Sequence, residues 1–192
     1  MRIIGLTGSI GMGKSATSAL FREFGVLVHD SDMAVHEIYA GPQAAPVAAA
    51  FPQALGAQGI DRKKLGDIVL KDSEAMRRLE SLVHPLVSAH REKFLLDAKK
   101  SGARFVVCDV PLLFETGIDE QMDVIIVVSA PFDVQKTRVL QRSGMTQAKF
   151  DAILAKQIPD DIKRQKAHFV VDTSEGFDQA RQQIARLLRA LV

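Results

Sequence analysis

The stretch GLTGSIGMGKS, residues 5–15, arranges glycines, a lysine and a serine in a fixed order. From Gly8 to Ser15 it fits the pattern G-x-x-x-x-G-K-[ST], between an apolar segment at 2–6 and a helix-like segment that begins near Lys14. Glycines let successive backbone N–H groups curl toward an anion, and a helix N-terminus adds further N–H groups and a positive dipole end. The pattern therefore predicts a loop that holds the phosphates of a nucleoside triphosphate. A plain glycine-rich turn is the alternative.

The two polar residues at the end of the pattern suit phosphate chemistry. Lys14 can reach the β- and γ-phosphates, and Ser15 can offer its hydroxyl to Mg²⁺. The pattern is shared by kinases, switch GTPases and ATP-driven machines. The sequence has no Asn-Lys-x-Asp segment of the kind that reads guanine, and its 192 residues are few for a motor. A small phosphotransferase is favoured.

Five apolar segments predict buried strands of a parallel sheet, because they are rich in Val and Ile and show no alternation with polar residues. They are residues 2–6, 26–29, 105–109, 123–128 and 169–172. Helix-like segments lie between them, at 14–25, 132–142 and 177–192. Strand followed by helix, repeated, predicts an α/β fold with a five-stranded parallel sheet between helical layers.

Two regions interrupt this alternation. Residues 40–104 contain no clear strand, and their second part, about 60–104, is predicted to be a helical insertion. Its segments 61–70, 74–84 and 85–100 are typical of helices, with Pro85 starting the last of them. The Ala- and Pro-rich residues before them are compatible with short helices, turns or a flexible connection. The second region, residues 133–166, is rich in basic residues, and its part from about 138 to 166 is a candidate lid.

Two carboxylates, Asp30 and Asp32, directly follow the second predicted strand. The carboxyl end of a parallel strand lies on the same sheet edge as the phosphate loop, so a carboxylate there could accept the proton of an attacking hydroxyl. The alternative is that Asp30 or Ser31 caps a helix that begins near Met33. We favour the catalytic role for Asp32 and leave both roles open for Asp30.

Further charged residues complete the candidate site. Asp109 ends the third strand, where a carboxylate either holds Mg²⁺ or only starts the turn into Pro111. Arg138 and Arg142 are four residues apart and are expected on one face of a helix. They either close over the phosphates, as guanidinium groups do well, or form a solvated basic face. Their position after the fourth strand favours the phosphate role for Arg142.

Composition limits the classes of partner. The 25 basic and 23 acidic residues leave a net charge of +2, which is too balanced for nucleic-acid binding over the whole surface. No apolar run reaches the length that spans a bilayer, and the N-terminus has no pattern of a signal peptide. The single cysteine, Cys108, lies in an apolar segment and is expected to be a buried free thiol. We expect a cytoplasmic protein that binds neither membrane nor nucleic acid, and that is a monomer or a weak homo-oligomer.

The chain resembles the dephospho-coenzyme A kinase family along nearly its whole length. The resemblance rests on GLTGSIGMGKS, VHDSD, LVHPLV, DVPLLFETG, DVIIVVSAPFDVQKTRVLQR and the AKQ of residues 155–157. The phosphate loop alone is generic, whereas HPL followed at this distance by VPLLFE is much more specific. The resemblance implies a P-loop NTPase-type three-layer fold with a helical coenzyme A-binding insertion and a lid. It also implies ATP-dependent phosphorylation of the 3′-hydroxyl of dephospho-coenzyme A, with Mg²⁺ as cofactor.

The resemblance also implies roles for residues of this sequence. Asp32 matches the catalytic base, and Lys14 and Arg142 match the groups that stabilise the transferred phosphoryl group. The ATP site would consist of Gly8, Gly11, Met12, Gly13, Lys14, Ser15, Ala16, Arg138 and Arg142. Thr7 accompanies the phosphate loop, and the acceptor site would consist of Thr7, Asp32, His84, Pro111, Leu112 and Phe114. Ser15 and Asp109 would hold the metal.

Three points stay open. From the residues alone, His84 before a proline is more typical of a helix end than of a ligand. The segment AHFVVDTS, residues 167–174, departs from the family pattern at His168 and Thr173, which leaves the adenine contacts near 172–175 undefined. Another kinase of the same fold, acting on a nucleoside monophosphate or a sugar, and a nucleotide-dependent switch with no acceptor are the competing functions.

Overall fold

The computed structural model describes residues 1–191, which pack into two compact units. The first unit combines Met1–His29 with the residues from Ala98 onward, and the second is Asp30–Asp97. The strands are β1 Arg2–Thr7, β2 Leu27–Asp30, β3 Leu55–Gly56, β4 Gly59–Ile60, β5 Phe105–Asp109, β6 Val124–Ser129 and β7 Phe169–Asp172. The helices are α1 Lys14–Glu23, α2 Ser31–Ala40, α3 Ala45–Ala50, α4 Arg62–Val69, α5 Ser73–Lys100, α6 Phe132–Leu140, α7 Gln147–Leu154, α8 Asp160–Lys166 and α9 Phe177–Leu191.

The main sheet contains five strands in the order β2-β5-β1-β6-β7, and its ladders from β5 to β7 are parallel. The strand predictions are confirmed, each to within one residue at either end. The register pairs Leu6 with Asp109 and Thr7 with Val127. The end of β5 therefore lies beside the end of β1, where the glycine-rich loop begins.

The first unit has a continuous apolar core on the sheet. Ile4 and Leu6 of β1 are completely buried, as are Leu20 and Phe21 of α1. Ile184 and Leu187 of α9 belong to the same cluster. Full burial of both faces explains why these strands have continuous apolar sequences. Cys108, on β5, is a buried free thiol, as predicted.

The second unit has its own core, built by the apolar residues of α2 to α5 and the short segments between them. Residues 40–54 form short helices and turns, which was one of the alternatives. The expectation of no strand in 40–104 is wrong, because β3 and β4 pair as a two-residue antiparallel hairpin, with Leu55 opposite Ile60. Strands this short leave no periodicity in a sequence, since two residues cannot alternate.

A single helix, α5, replaces the two helices predicted over 74–84 and 85–100. Pro85 lies inside it, and His84 is an exposed residue in its middle and not at a helix end. A proline in a helix interior removes one backbone hydrogen bond. Leu79 and Val83 before the proline and residues 86–87 after it contact the same core, so continued burial outweighs that loss.

Other differences lie at helix ends. The helix predicted over 132–142 ends at Leu140, so Arg142 lies just beyond α6 and not within it. The C-terminal helix predicted over 177–192 is α9, and Val192 lies outside the described residues. Within residues 1–191, no helix is both long enough and apolar enough to cross a membrane.

Candidate active site

The glycine-rich loop connects β1 directly to α1, as the sequence pattern predicted. Gly13 precedes the first residue of α1 and has a left-handed conformation with φ +93°. A residue with a side chain would be strained there, and Gly13 has no side chain that could cap the helix. The backbone N–H groups at the start of α1 are therefore available to an anion, and the helix dipole favours one.

A close approach explains a second glycine. A Cβ atom added to Gly8 would lie 2.6 Å from the carbonyl oxygen of Val128 in β6. Real Cβ atoms do not come so close to a backbone atom. The loop can therefore start directly against the sheet only because residue 8 is glycine.

Lys14 and Asp109 form an ion pair at the carboxyl ends of β1 and β5. Nζ of Lys14 donates a hydrogen bond to Oδ1 of Asp109. The Asp109 side chain is 1% exposed and that of Lys14 is 15% exposed. A buried carboxylate needs a cation nearby, because removal from water otherwise penalises its charge. Lys14 therefore neutralises the buried charge of Asp109.

The same carboxylate fits the donor set of Mg²⁺. Mg²⁺ is usually held by one or two protein oxygens together with substrate phosphates and water. Asp109 offers a carboxylate, and Ser15 offers an exposed hydroxyl in the first turn of α1. Among the described residues there is no cluster of three or more His, Cys, Asp or Glu side chains that could enclose a metal. A magnesium ion held jointly with a nucleotide fits this sparse set.

A cavity of about 280 Å³ lies beside the loop in the first unit. Residues of the loop and α1 form one side of it, and residues from α6 and from the β7–α9 segment form the other. Its lining is Gly11, Gly13, Ala16, Thr17, Leu20, Arg138, Arg142, Thr173, Gly176, Phe177 and Ala180. Arg138 and Arg142, predicted to act together, thus line one cavity with three of the predicted loop residues.

Thr173 connects the parts of this cavity. Its hydroxyl donates to the carbonyl oxygen of Met12 at 2.8 Å. The guanidinium of Arg138 donates to the Thr173 hydroxyl at 2.9 Å and to its carbonyl oxygen at 2.7 Å. A threonine at this position therefore fixes both the loop and Arg138. The sequence showed only that Thr173 departs from the family pattern.

The predicted acceptor residues of the first unit lie close together. The hydroxyl of Thr7, which is completely buried, donates to the carbonyl oxygen of Pro111 at 3.2 Å. Leu112 is 41% exposed, whereas Phe114 is 7% exposed. The Lys166 ammonium lies 5.4 Å from the centre of the Phe114 ring. Leu112 is therefore the most exposed of the four predicted acceptor residues in this unit, Thr7, Pro111, Leu112 and Phe114.

A buried ion pair stabilises the segment after β5. Nζ of Lys163, a completely buried residue of α8, lies 2.8 Å from Oε1 of Glu115. The same carboxylate oxygen accepts the N–H of Ile158 at 2.9 Å. Burial raises the pKa of Glu115, but the Lys163 ammonium and the Ile158 amide together lower this pKa below its usual value. No pattern in the sequence predicts this pair.

The predicted residues of the second unit lie at the start of α2 and on α5. The carboxylate of Asp30 caps α2, accepting the N–H groups of Asp32 and Met33 at 3.0 and 3.1 Å. The capping alternative is therefore correct for Asp30. The side chain of Asp32 is exposed in the first turn of α2, and His84 is exposed on α5. Both are open to solvent, as an acceptor contact requires.

Comparison with known proteins places this geometry in a family. The family model described as dephospho-CoA kinase matches residues 2–179. A dephospho-CoA kinase of Rhodopseudomonas palustris strain BisB18 is 54% identical over 190 residues, which cover 99% of this chain and 96% of the relative. The crystal structure of TT1252 from Thermus thermophilus is 31% identical, with a TM-score of 0.84, and the match covers 98% and 96% of the two chains. A shikimate kinase from Acinetobacter baumannii, 17% identical with a TM-score of 0.56 over 99% and 94%, shares the fold.

Proposed function

This chain belongs to the dephospho-coenzyme A kinase family, and we propose that it transfers the γ-phosphoryl group of ATP to the 3′-hydroxyl of dephospho-coenzyme A through the residues described above. The family's reaction is ATP-dependent phosphorylation, the last step of coenzyme A biosynthesis, and the chain is a kinase of this kind. The observation that carries the proposal is the phosphate loop whose lysine lies on the buried carboxylate of Asp109.

Lys14 is proposed to exchange partners during the reaction. In the structure its ammonium is bound to Asp109. With ATP on the loop, the ammonium turns to the β- and γ-phosphates and stabilises the negative charge of the transferred group. The backbone N–H groups of the loop and the N-terminus of α1 hold the remaining phosphate oxygens. The ion pair thus keeps both charged groups in place until substrate arrives.

Asp109 and Ser15 are proposed to hold Mg²⁺ together with the nucleotide. Bound there, the ion would neutralise phosphate charge and orient the β- and γ-phosphates. The carboxylate of Asp109 is buried and points to the place that Lys14 leaves. Its negative charge thereby keeps a cation partner at each stage of the cycle.

Asp32 is proposed as the base. Its carboxylate accepts the proton of the ribose hydroxyl while the oxygen of that hydroxyl attacks the γ-phosphorus. The new bond joins the ribose oxygen to phosphorus, and the bond from phosphorus to the β,γ-bridging oxygen breaks, so that ADP leaves with the electron pair. The exposed carboxylate of Asp32 is free to receive a substrate hydroxyl, whereas that of Asp30 caps the helix.

Arg138 and Arg142 are proposed to act differently on the nucleotide. Arg138 is bound to Thr173 and shapes the wall of the cavity that we assign to the nucleoside. Arg142 is exposed and lies just past α6. Its guanidinium can therefore turn to the phosphate oxygens and stabilise the charge that spreads over them. Thr173, Gly176 and Phe177 are proposed to contact the base or the ribose.

The domain roles also remain proposals. Residues of about 60–104 would bind the coenzyme A part of the acceptor, and residues of about 138–166 would act as the lid over one P-loop kinase domain. His84, Pro111, Leu112 and Phe114 would then contribute to acceptor binding. A monomer or weak homo-oligomer, a cytoplasmic location and the absence of nucleic-acid binding stay predictions.

The experiment that tests the proposal follows product formation by mass. Purified protein is incubated with Mg²⁺-ATP and dephospho-coenzyme A, and with nucleoside monophosphates, gluconate and shikimate as alternative acceptors. We expect coenzyme A and ADP in equal amounts, and no turnover of the other acceptors. Turnover of a different acceptor would overturn the proposed substrate and leave the phosphate-loop chemistry intact. ATP hydrolysis without a phosphorylated acceptor would favour a nucleotide-dependent switch.

A further inference from the structure

One residue of the phosphate loop, Ile10, has both of its backbone polar groups bound by glutamine side chains. Its N–H donates to Oε1 of Gln157 at 3.1 Å. Its carbonyl oxygen accepts a hydrogen bond from Nε2 of Gln135 at 2.7 Å. The two amides thus act in complementary ways, one as acceptor and the other as donor.

The two glutamines come from elements far along the chain. Gln135 lies on α6 and is 3% exposed. Gln157 follows α7, and its own N–H donates to the carbonyl oxygen of Leu154 at 3.0 Å. The sequence separations from Ile10 are 125 and 147 residues. The contacts therefore connect the loop to the tertiary structure and not to its own helix.

The position of Gln157 is itself fixed. The next residue, Ile158, donates its N–H to Glu115, which pairs with the buried Lys163. The hydroxyl of Ser129, at the end of β6, donates to the carboxylate of Asp160 at 2.6 Å. An acceptor held this firmly can fix the orientation of the peptide group that it binds.

Loop orientation matters because a phosphate loop works by aiming backbone N–H groups. The Ile10 N–H is directed to Gln157, and the neighbouring residue, Gly11, has φ +78°. A glycine there is free to adopt other conformations. Fixing the peptide groups on both sides of Ile10 removes that freedom before the nucleotide binds, so less entropy is lost on binding.

We propose that Gln135 and Gln157 are positioning residues that preorganise the phosphate loop through the backbone of Ile10. They set the affinity for the nucleotide phosphates without touching the acceptor. The inference rests on the proposed function only in naming ATP as the ligand. Because Gln157 belongs to the candidate lid, movement of that lid has to leave this residue in place or break its bond to the loop.

The experiment compares two isosteric substitutions, Gln157→Glu and Gln135→Glu. Each adds one negative charge next to Ile10. The carboxylate of the first can still accept the Ile10 N–H, whereas the carboxylate of the second cannot donate to the Ile10 carbonyl oxygen. Dissociation constants for a non-hydrolysable ATP analogue with Mg²⁺ are measured at pH 8, where both carboxylates are ionised. We expect Gln135→Glu to bind the analogue about tenfold more weakly than Gln157→Glu.

Neutral variants remove the charge effect. Gln157→Met and Gln135→Met keep the length of the side chain and lose the hydrogen bond, so each is expected to weaken analogue binding about tenfold. The matched controls are Gln147→Met and Gln141→Met, which replace exposed glutamines of the same region. Their affinity for the ATP analogue is expected to equal that of the wild type. KM for dephospho-coenzyme A should stay within about twofold of wild type in all variants.

Two outcomes would overturn the inference. One is equal analogue affinity in the two Glu variants. The other is that the Met variants have a lowered melting temperature but bind the analogue with wild-type affinity when measured at temperatures where they are folded. That result would assign the two glutamines a role in stability alone. The binding measurement needs no acceptor. It therefore tests the positioning role of the two glutamines even if the wild-type protein fails to phosphorylate dephospho-coenzyme A.

Discussion

The phosphate-loop region and the helical unit of residues 30–97 hold their functional side chains in different ways. In the first region Lys14 is paired with Asp109, and Arg138 is bound to Thr173. In the helical unit Asp32 and His84 are exposed on helix surfaces. In the proposed mechanism, Lys14 and Arg138 act from positions that other residues already hold, whereas Asp32 and His84 meet the acceptor from side chains open to solvent. Substitutions in the first region should therefore disturb nucleotide binding and structure as well as turnover, and those in the second should leave nucleotide binding unchanged.

Lys14→Ala should give the largest effect on activity. The variant loses the cation that stabilises the transferred phosphoryl group, and it leaves the buried carboxylate of Asp109 without that partner. We expect kcat/KM for ATP to fall about 10³-fold. Steady-state rates at saturating acceptor and varied ATP measure this. Arg186→Ala, at an exposed arginine of α9, is the control and should behave like wild type. Activity of Lys14→Ala within tenfold of wild type would remove the lysine from the mechanism.

Asp32→Asn is the corresponding test in the helical unit. An amide cannot accept the proton of the hydroxyl, so kcat should fall about 10²-fold, the lower end of what a general base contributes. The affinity for an ATP analogue should be unchanged, in contrast to variants of the loop. Asp30→Asn is the matched control, because asparagine caps a helix as well as aspartate does. If both variants lose activity equally, the role of Asp32 as base is wrong.

His84→Ala should change acceptor binding and little else. Loss of one polar contact to the acceptor is expected to raise KM for dephospho-coenzyme A about tenfold and to leave KM for ATP unchanged. His36→Ala, at another exposed histidine of the same unit, is the control. An unchanged KM for dephospho-coenzyme A in His84→Ala would exclude the residue from the acceptor site.

The sequence was most informative where structure depends on neighbours along the chain. The loop of residues 8–15 and the five strands of the main sheet follow from local pattern, since fully buried parallel strands read as apolar runs. The hairpin of β3 and β4 is too short to have a pattern. The helix through Pro85 continues because the core of the second unit holds both of its halves. Local propensity is overridden there by burial.

The long-range hydrogen bonds and ion pairs around the site could not be predicted from the sequence for another reason. Gln135 and Gln157 reach Ile10 across more than a hundred residues, and Lys163 pairs with Glu115 across β6 and α7. An isolated polar residue is more often solvated than buried, so the local pattern does not show which distant groups these side chains bind. Thr173 was visible only as a departure from the family pattern. Only the three-dimensional structure identifies the distant side chains that bind the phosphate loop.

The smallest effect on catalysis, and the clearest on stability, should come from Glu115→Gln. The amide leaves the buried ammonium of Lys163 without its negative partner, which should lower the melting temperature at pH 7. The pKa of Glu115 is lowered in the folded protein, so its ionised form contributes stability above the unfolded pKa of 4.5, and that contribution is lost as the pH falls through the lower folded pKa. The difference in melting temperature between wild type and Glu115→Gln should therefore shrink from pH 7 to pH 3.5. A difference that is independent of pH would show that packing, and not the charge of Glu115, stabilises this part of the first unit.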